Sequence, residues 1–473
     1  MSQLTVPDWV EPRPYQTDAV ESWMQNEGQG ILHMATGTGK TVTALMAAVR
    51  LAELQKERLA LIVAAPYQHL VDQWVAELRE FGVVPLRAYR SRERWVNDVG
   101  GQFTEFTSGV RNFVGVVTTH TTFGSKHFQA MVKRLDGAQT LLIADEVHHL
   151  GAPHLREHLP DAIRARLGLS ATPTRWYDED GTEALNEYFS NGVVYEFGLE
   201  EAIQSEFLCE YYYVPHIIEL TDEEKDDYLS ISRAIGKKIG AVSGDIGTAD
   251  LQDDEQLKQL LFKRARLIGT AENKLPRLKS LLERITDIHH TLVYCSDGRV
   301  EREGEATKRQ LRAATQLLGK ELGIKTHQFT YEEDQETRER LLTDFEQGVL
   351  EALVAIRCLD EGVDVPATQT AFILASSSNP RQFVQRRGRI LRPHESKDYA
   401  VIHDFIVAPP RDIRYVGSED IFNLERRLVQ KELQRASTFA EAAKNHPDAE
   451  LSSIPISKSS LTELKKHFNL LDV

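Results

Sequence analysis

From Ile31 to Tyr195 the chain alternates short apolar runs with longer stretches whose apolar residues recur every three or four positions. The short runs are Gly30–Met34, Leu59–Ala65, Asn112–Thr118, Thr140–Asp145 and Ala165–Leu169. Strand-length runs separated by helical patterns predict a parallel sheet covered by helices on both faces. Leu141-Leu142-Ile143-Ala144 is apolar at every position, as a strand buried on both faces should be. A helical run is expected from Arg13-Pro14-Tyr15-Gln16 to about Met24.

The alternation then breaks. Leu208 to Leu220 reads as a strand pair or an extended passage. Thr221 to Ile268 is charge-rich, helical in period and poor in strand residues, which predicts a helical insertion. A second alternation follows, with strands expected at Thr291–Cys295, Lys325–Phe329, Leu350–Ile356, Thr370–Ala375 and Tyr399–Phe405. Asp420 to Lys444 reads as one long amphipathic helix, with Ile421, Leu424, Leu428 and Leu433 on its apolar stripe. The expected class is α/β: two tandem parallel-sheet domains, a helical insertion and a C-terminal helix. The domain boundaries expected are 1–206, 207–270, 271–408 and 409–473.

Composition narrows the chemistry. At 473 residues and 41% hydrophobic, the chain can fill two or three cores. No apolar segment follows a basic one in MSQLTVPDWVEPR, and no apolar run reaches membrane-spanning length, so neither a signal peptide nor a membrane segment is expected. Cys209, Cys295 and Cys358 are scattered without ligand-like spacing, which fits a reducing cytoplasm and speaks against a zinc or iron–sulfur centre. A net charge of -15 argues against a large non-specific nucleic-acid surface but leaves room for a local basic groove.

Three stretches carry chemistry. Met34-Ala35-Thr36-Gly37-Thr38-Gly39-Lys40-Thr41 lies between a strand and a helix, as a phosphate-binding loop does, with Met34 where the usual first glycine would stand. Glycines let backbone wrap an oligophosphate, and the helix N-terminus aims amide groups at it. Lys40 would reach the β/γ-phosphates and Thr41 would bind Mg²⁺. Asp145-Glu146-Val147-His148 ends a central strand; one carboxylate there can hold Mg²⁺ and the next can polarise a water. Alone it would read as an acidic loop, and the pairing with Lys40 on the same sheet favours the chemical reading. Gln385-Arg386-Arg387-Gly388-Arg389-Ile390-Leu391-Arg392, in the second half, spaces arginines three apart on one helix face, suited to phosphate, although alone the run would read as a solvated basic helix face.

In this order the motifs resemble those of superfamily 2 (DEAD/DEAH-box-like) helicases and translocases. Arg13–Gln16 matches the adenine-reading Q-type motif, Met34–Thr41 motif I, Ala65-Pro66-Tyr67-Gln68 through Trp74 motif Ia, and Thr118-Thr119 motif Ib. Asp145–His148 matches motif II, Ser170-Ala171-Thr172 motif III, Tyr294-Cys295 motif IV, Asp360–Asp364 motif V, and Gln385–Arg392 motif VI. The resemblance spans roughly residues 10 to 408. The D-E-V-H and E-G-V-D forms resemble the group containing XPB, RadD, UvsW and the type I and III restriction motors. Ile356 stands where that group often has an early motif V threonine.

The resemblance implies two RecA-like P-loop domains hydrolysing ATP with Mg²⁺ between them. Gln16 would read adenine with Arg13 nearby, and Gly37, Gly39 and Lys40 would hold the phosphates, with Thr36 and Thr38 also among the ATP-binding residues. Thr41 and Asp145 would bind the metal, and Glu146 would orient and deprotonate the attacking water. His148, Ser170, Thr172 and Gln385 would couple hydrolysis to lobe movement; Gly362 and Asp364 would line the cleft; Arg389 and Arg392 would act as arginine fingers. Arg87, Arg90, Arg92 and Arg94, with Tyr89 and Trp95 interleaved, could track a phosphate backbone and stack on bases, or form an exposed loop of ordinary charges; the expected nucleic-acid contacts are Pro66, Gln68, Arg90, Arg92 and Thr119.

Lys237-Lys238 and Lys263-Arg264-Ala265-Arg266 could make the insertion a DNA-contacting flap, although flanking acidic runs favour a solvated helical hairpin. His148, His149, His154 and His158 lack a supporting cysteine and are not read as a zinc site. The expected function is an ATP-dependent helicase or translocase acting on duplex, forked or single-stranded DNA rather than RNA. The alternative is an ATP-gated switch or motor subunit of a multi-protein repair, restriction or antiviral complex. A protein partner would bind through the insertion or the C-terminal helix.

Overall fold

Each run that is apolar throughout becomes a strand buried on both faces. The computed structural model describes residues 4–174, 178–241, 254–296, 304–330, 332–356, 365–375, 380–410 and 419–445. It divides into two units, Met1–Ser205 and Glu206–Val473.

In the first unit the strands are β1 (Gln29–Met34), β2 (Leu59–Ala65), β3 (Leu86–Ala88), β4 (Phe113–Thr119), β5 (Thr140–Ala144), β6 (Ala165–Ser170) and β7 (Val193–Phe197). They form one sheet in the order β3-β4-β2-β5-β6-β1-β7. Every pairing is parallel. The central strands β2 and β5 are buried at every position. Edge strands β3 and β7 were not legible as apolar runs, because β3 has only three residues and Val193 of β7 is 40% exposed.

Helix α1 (Pro14–Gln25) begins with proline, whose fixed φ suits a first turn that has no amide to satisfy. Its buried face carries Ala19 and Trp23, and the Trp23 indole donates to the Arg166 carbonyl at 3.0 Å. Helices α2 (Lys40–Leu54) and α3 (Gln68–Glu80) follow β1 and β2. One face of the sheet is sealed by Phe103, Phe106, Phe123 and Phe128. Each such side chain contributes about 1.5–3 kcal/mol on burial.

The second unit holds β8 (Glu210–Ile218), β9 (Thr291–Tyr294), β10 (Thr326–Phe329), β11 (Ala352–Ala355), β12 (Thr370–Ile373) and β13 (Tyr399–Val407). Their order is β10-β11-β9-β12-β13-β8, again all parallel. The stretch Leu208–Leu220, expected as a strand pair or extended passage, is one strand. It runs parallel to β13 from Tyr399↔Glu210 to Val407↔Ile218. Pro215 sits within it because β8 is an edge strand, where a missing amide is tolerated.

The insertion is a pair of helices, Asp222–Ala241 and Glu255–Gly269. The C-terminal helix, Glu419–Glu441, packs Val429 and Leu433 against Leu220, Tyr228 and Ala271. The side chains of Ile421, Leu424 and Leu428 lie outside the described residues. Among the described residues, no helix is long and apolar enough to cross a membrane.

Candidate nucleotide site and the arginine-bearing helix

Because all the strands of the first sheet are parallel, the residues after β1, β2, β4, β5 and β6 share one edge, where α/β sheets bind ligands. After β1 the chain turns through Gly37 at φ 93° and Gly39 at φ 79°, conformations that favour glycine. A Cβ on Gly39 would stand 2.8 Å from the Gln16 amide nitrogen. Lys40 and Thr41 open α2, so its unbonded first-turn amides face that turn.

α1 holds the loop in place. The Tyr15 hydroxyl donates to the Thr38 carbonyl at 2.6 Å, and its ring stacks on Phe197 with centroids 4.0 Å apart. Burial raises Tyr15 above the ordinary phenol value, so the hydroxyl stays protonated and donating. Arg13 donates through Nη1 to the Tyr15 hydroxyl at 3.2 Å. The Gln16 Oε1 accepts from the Arg13 amide at 3.0 Å, closing the first turn of α1. Within the loop, the Thr38 hydroxyl donates to Ala35 O at 2.7 Å, and Lys40 Nζ donates to Met34 O at 3.1 Å.

Asp145 follows β5. Its Oδ2 accepts from Trp74 Nε1 at 2.8 Å and its Oδ1 from the Glu146 amide at 3.0 Å. Burial raises its pKa, opposed by the Trp74 bond, the Lys40 charge and the Glu146 amide. A buried carboxylate whose ionised form is penalised gains from any added cation.

Glu146 takes the left-handed conformation, φ 45° and ψ 53°. A non-glycine residue held there costs about 1–3 kcal/mol, strain that concentrates at functional sites. Its Oε2 lies 3.5 Å from His148 Nδ1. The same Nδ1 is 3.2 Å from the Ser170 hydroxyl, which accepts from the Thr172 amide at 3.0 Å. The acidic and Ser-Ala-Thr stretches are therefore joined side chain to side chain.

The expected nucleic-acid residues divide. Pro66 follows β2 and Gln68 opens α3, where its Oε1 accepts from Arg90 Nε at 3.4 Å. Arg90 lies 5.4 Å from the Tyr89 ring, and Arg92 Nη1 is 2.6 Å from His127 Nε2. The Thr119 hydroxyl caps the next short helix, accepting from the Thr122 amide at 3.3 Å. Trp95 is not available for stacking on bases: it is 5% exposed and packs against Phe128. Its apolar neighbours across the core, rather than the arginines beside it in sequence, decide its position.

In the second unit, Gln385 and Arg389 lie on the helix Pro380–Ile390, with Arg392 just beyond it. Both helix residues are buried. Arg386 Nη1 donates to Ala375 O at 3.3 Å and its guanidinium lies 5.2 Å from the Tyr294 ring. Ile356 follows β11 and donates its amide to Phe329 O at 3.4 Å. Gly362 and Asp364 lie outside the described residues.

Two contributors were not given roles from sequence: the Tyr15 hydroxyl and the Trp74 indole. Both sit in stretches that stood out, Arg13–Gln16 and Ala65–Trp74, but their partners are 23 and 71 positions away.

Comparison with known proteins agrees with this geometry. Residues 10–175 match the family model "Type III restriction enzyme, res subunit", and residues 273–394 match "Helicase conserved C-terminal domain". The chain is 27% identical over 425 residues to the DNA 3'-5' translocase XPB2 of Sulfurisphaera tokodaii, covering 86% of this chain and 84% of that one. It is 27% identical over 436 residues to the putative DNA 3'-5' helicase Rad25 of Haloarcula marismortui, covering 91% of this chain but only 57% of that relative. The crystal structure of the Pyrococcus furiosus Hef helicase domain shares the fold, with TM-score 0.55 and 17% identity over 87% of this chain and 99% of that one. With both helicase halves matched in order, each on its own parallel-sheet unit, the chain belongs to the superfamily 2 helicases, in the group of the XPB-like enzymes and the restriction motors.

Proposed function

We propose that this chain is an ATP-dependent DNA helicase or translocase that uses Mg²⁺. The observation that carries the reading is the edge of the first sheet, where Asp145, fixed by Trp74 and its own following amide, feels the Lys40 charge beside a glycine-shaped loop. The residues fit the ligands. The Gly37–Gly39 turn, at positive φ and with a Cβ at Gly39 barred by the Gln16 side chain, lets backbone wrap a phosphate, and Asp145 with the Thr41 hydroxyl supplies the oxygen donors that Mg²⁺ takes. When bound, the metal neutralises charge developing on the phosphates.

Lys40 binds and orients the phosphates, and Thr36 and Thr38 shape the loop around them. Arg13 and Gln16 recognise the adenine, as Q-type residues do. Glu146, positioned by its strained backbone, orients water and accepts its proton. His148, Ser170 and Thr172 form the relay by which the acidic stretch reports its state to β6. Arg389 and Arg392 supply transition-state charge, and Gln385 belongs to the coupling set. The DNA assignment draws on the relatives described as DNA 3'-5' translocase and helicase, and Pro66, Gln68, Arg90, Arg92 and Thr119 are its proposed contacts. A cytoplasmic setting is part of the same reading.

The net charge of -15 favours weighing a second reading, an ATP-gated subunit that needs a partner to engage DNA. Phosphate release by the purified chain, alone and with single-stranded, duplex and forked DNA and with RNA, tests the first reading. Strong stimulation by one DNA form supports it, and strand separation without partners would sink the second. A flat response across every nucleic acid would overturn the stand-alone motor.

A further inference from the structure

The helix that carries Arg389 has an opposite face. Residues two apart on a helix point about 200° from one another, so Arg387 is directed away from Arg389, while Phe383 and Arg387, four apart, share a side. That side is occupied by the C-terminal helix. Arg387 Nη1 donates to Thr438 O at 2.9 Å, and its guanidinium lies 4.6 Å from the Phe439 ring. Phe439 is fully buried, 5.4 Å from the Phe383 ring and stacked 5.3 Å from Tyr213 of β8.

The C-terminal helix is itself firmly rooted. Arg435 pairs with Asp404 of β13, which also accepts from the Tyr213 hydroxyl at 2.7 Å. Just past the helix, Asn445 bonds both ways to the Tyr213 backbone, at 2.8 and 2.9 Å. Arg387 and Phe439 thus tie the arginine-bearing helix to a scaffold of β8, β13 and the C-terminal helix, all outside the matched helicase regions 10–175 and 273–394.

We infer that Arg387 and Phe439 are positioning residues for hydrolysis: through their mutual contact the C-terminal helix sets the orientation of the helix bearing Arg389. The inference rests on the reading that this chain hydrolyses ATP. A misplacement of about 1 Å in a catalytic group can cost up to about 10²-fold in rate. Nucleotide binding, which the first unit's loop performs, does not depend on this contact.

The test uses the full chain and the variants Arg387→Met, Arg387→Lys and Phe439→Leu, with Lys40→Ala as the hydrolysis-dead reference. Steady-state phosphate release gives kcat and KM, a fluorescent ADP analogue gives affinity, and thermal melting gives the folded fraction. Arg387→Met and Phe439→Leu should each lower kcat per folded molecule at least about tenfold, with KM and ADP affinity unchanged within twofold. Arg387→Lys should recover part of the rate, and the double variant should fall no further than the worse single one. An unchanged kcat per folded molecule overturns the inference, and so does a parallel loss of ADP affinity. Should the unmodified chain release no more phosphate than Lys40→Ala, the hydrolysis reading itself fails, a separate and recognisable result.

Discussion

The first unit shapes its site with backbone conformation and bonds from uncharged donors, whereas the second holds its arginine-bearing helix with buried charge. Around Lys40 the fixing contacts are two positive-φ glycines, the Tyr15–Thr38 bond and the Trp74–Asp145 bond. Around Arg389 they are Arg387, Arg435 and Asp404, with Asp404 fully buried and Arg435 4% exposed at the side chain. This contrast predicts that a proposed chemical residue of the first unit can be replaced without unfolding it. In the second unit, by contrast, Arg389, proposed to support the reaction, and Arg387, which holds the C-terminal helix, are neighbours on one helix.

The sharpest separation should come from Lys40→Ala and Glu146→Gln. Each should lower phosphate release on the order of 10³-fold, the scale for removing one charge-stabilising group in phosphoryl transfer. Their thermal melting should scarcely move; rates near the unmodified chain's would refute the site, and a large melting shift would erase the contrast between the units.

Asp404→Ala should do the reverse. It removes the fully buried partner of Arg435, leaving it only Glu432, and takes the acceptor from the Tyr213 hydroxyl, a loss of about 3 kcal/mol. Chemical denaturation measures it, and a loss under about 1 kcal/mol would show that the buried charges are not what holds this region.

Acid should also probe the second unit. Arg277 can only donate, so its Nη2, 3.2 Å from His216 Nδ1, makes that nitrogen an acceptor. His216 then donates from Nε2 to His403 Nδ1 at 3.0 Å. Burial, then Arg277, lowers His216 to about 4. Burial, then His216 and Arg277, lowers His403 to about 3. Below the ordinary histidine value of 6.5 the unfolded chain takes up protons that the folded chain refuses, so stability falls as pH drops from 6.5 toward 4. Each histidine contributes about 1.4 kcal/mol per pH unit in that window. Denaturation of the His216→Asn, His403→Asn double variant at pH 7 and 5 should show a shallower slope than the unmodified chain, and equal slopes would refute the pair's role.

The smallest expected effect belongs to Tyr15→Phe. Losing one neutral bond to Thr38 O should cost about 1 kcal/mol, roughly a fivefold rise in KM for ATP at near-normal kcat. A fall in kcat alone would place Tyr15 in the chemistry rather than in shaping the loop.

The two parallel sheets, the helical insertion and the C-terminal helix were legible because burial on both faces demands uninterrupted apolar runs, and α/β alternation repeats that demand. Lys40, Asp145, Glu146 and Arg389, the proposed chemical residues, were singled out by residue type and spacing within short stretches. Folding in three dimensions decided what those stretches touch. Trp95 went to the core instead of a base-stacking surface, and Leu208–Leu220 became one parallel edge strand because β13, nearly 190 positions later, offered it a partner. Arg387, one of several arginines in its run, turned toward Phe439 because a helix sends neighbouring side chains to different faces. Local pattern determines which residues are buried and which can react; long-range partners, whose contacts carry no trace in the intervening sequence, determine which way each one points.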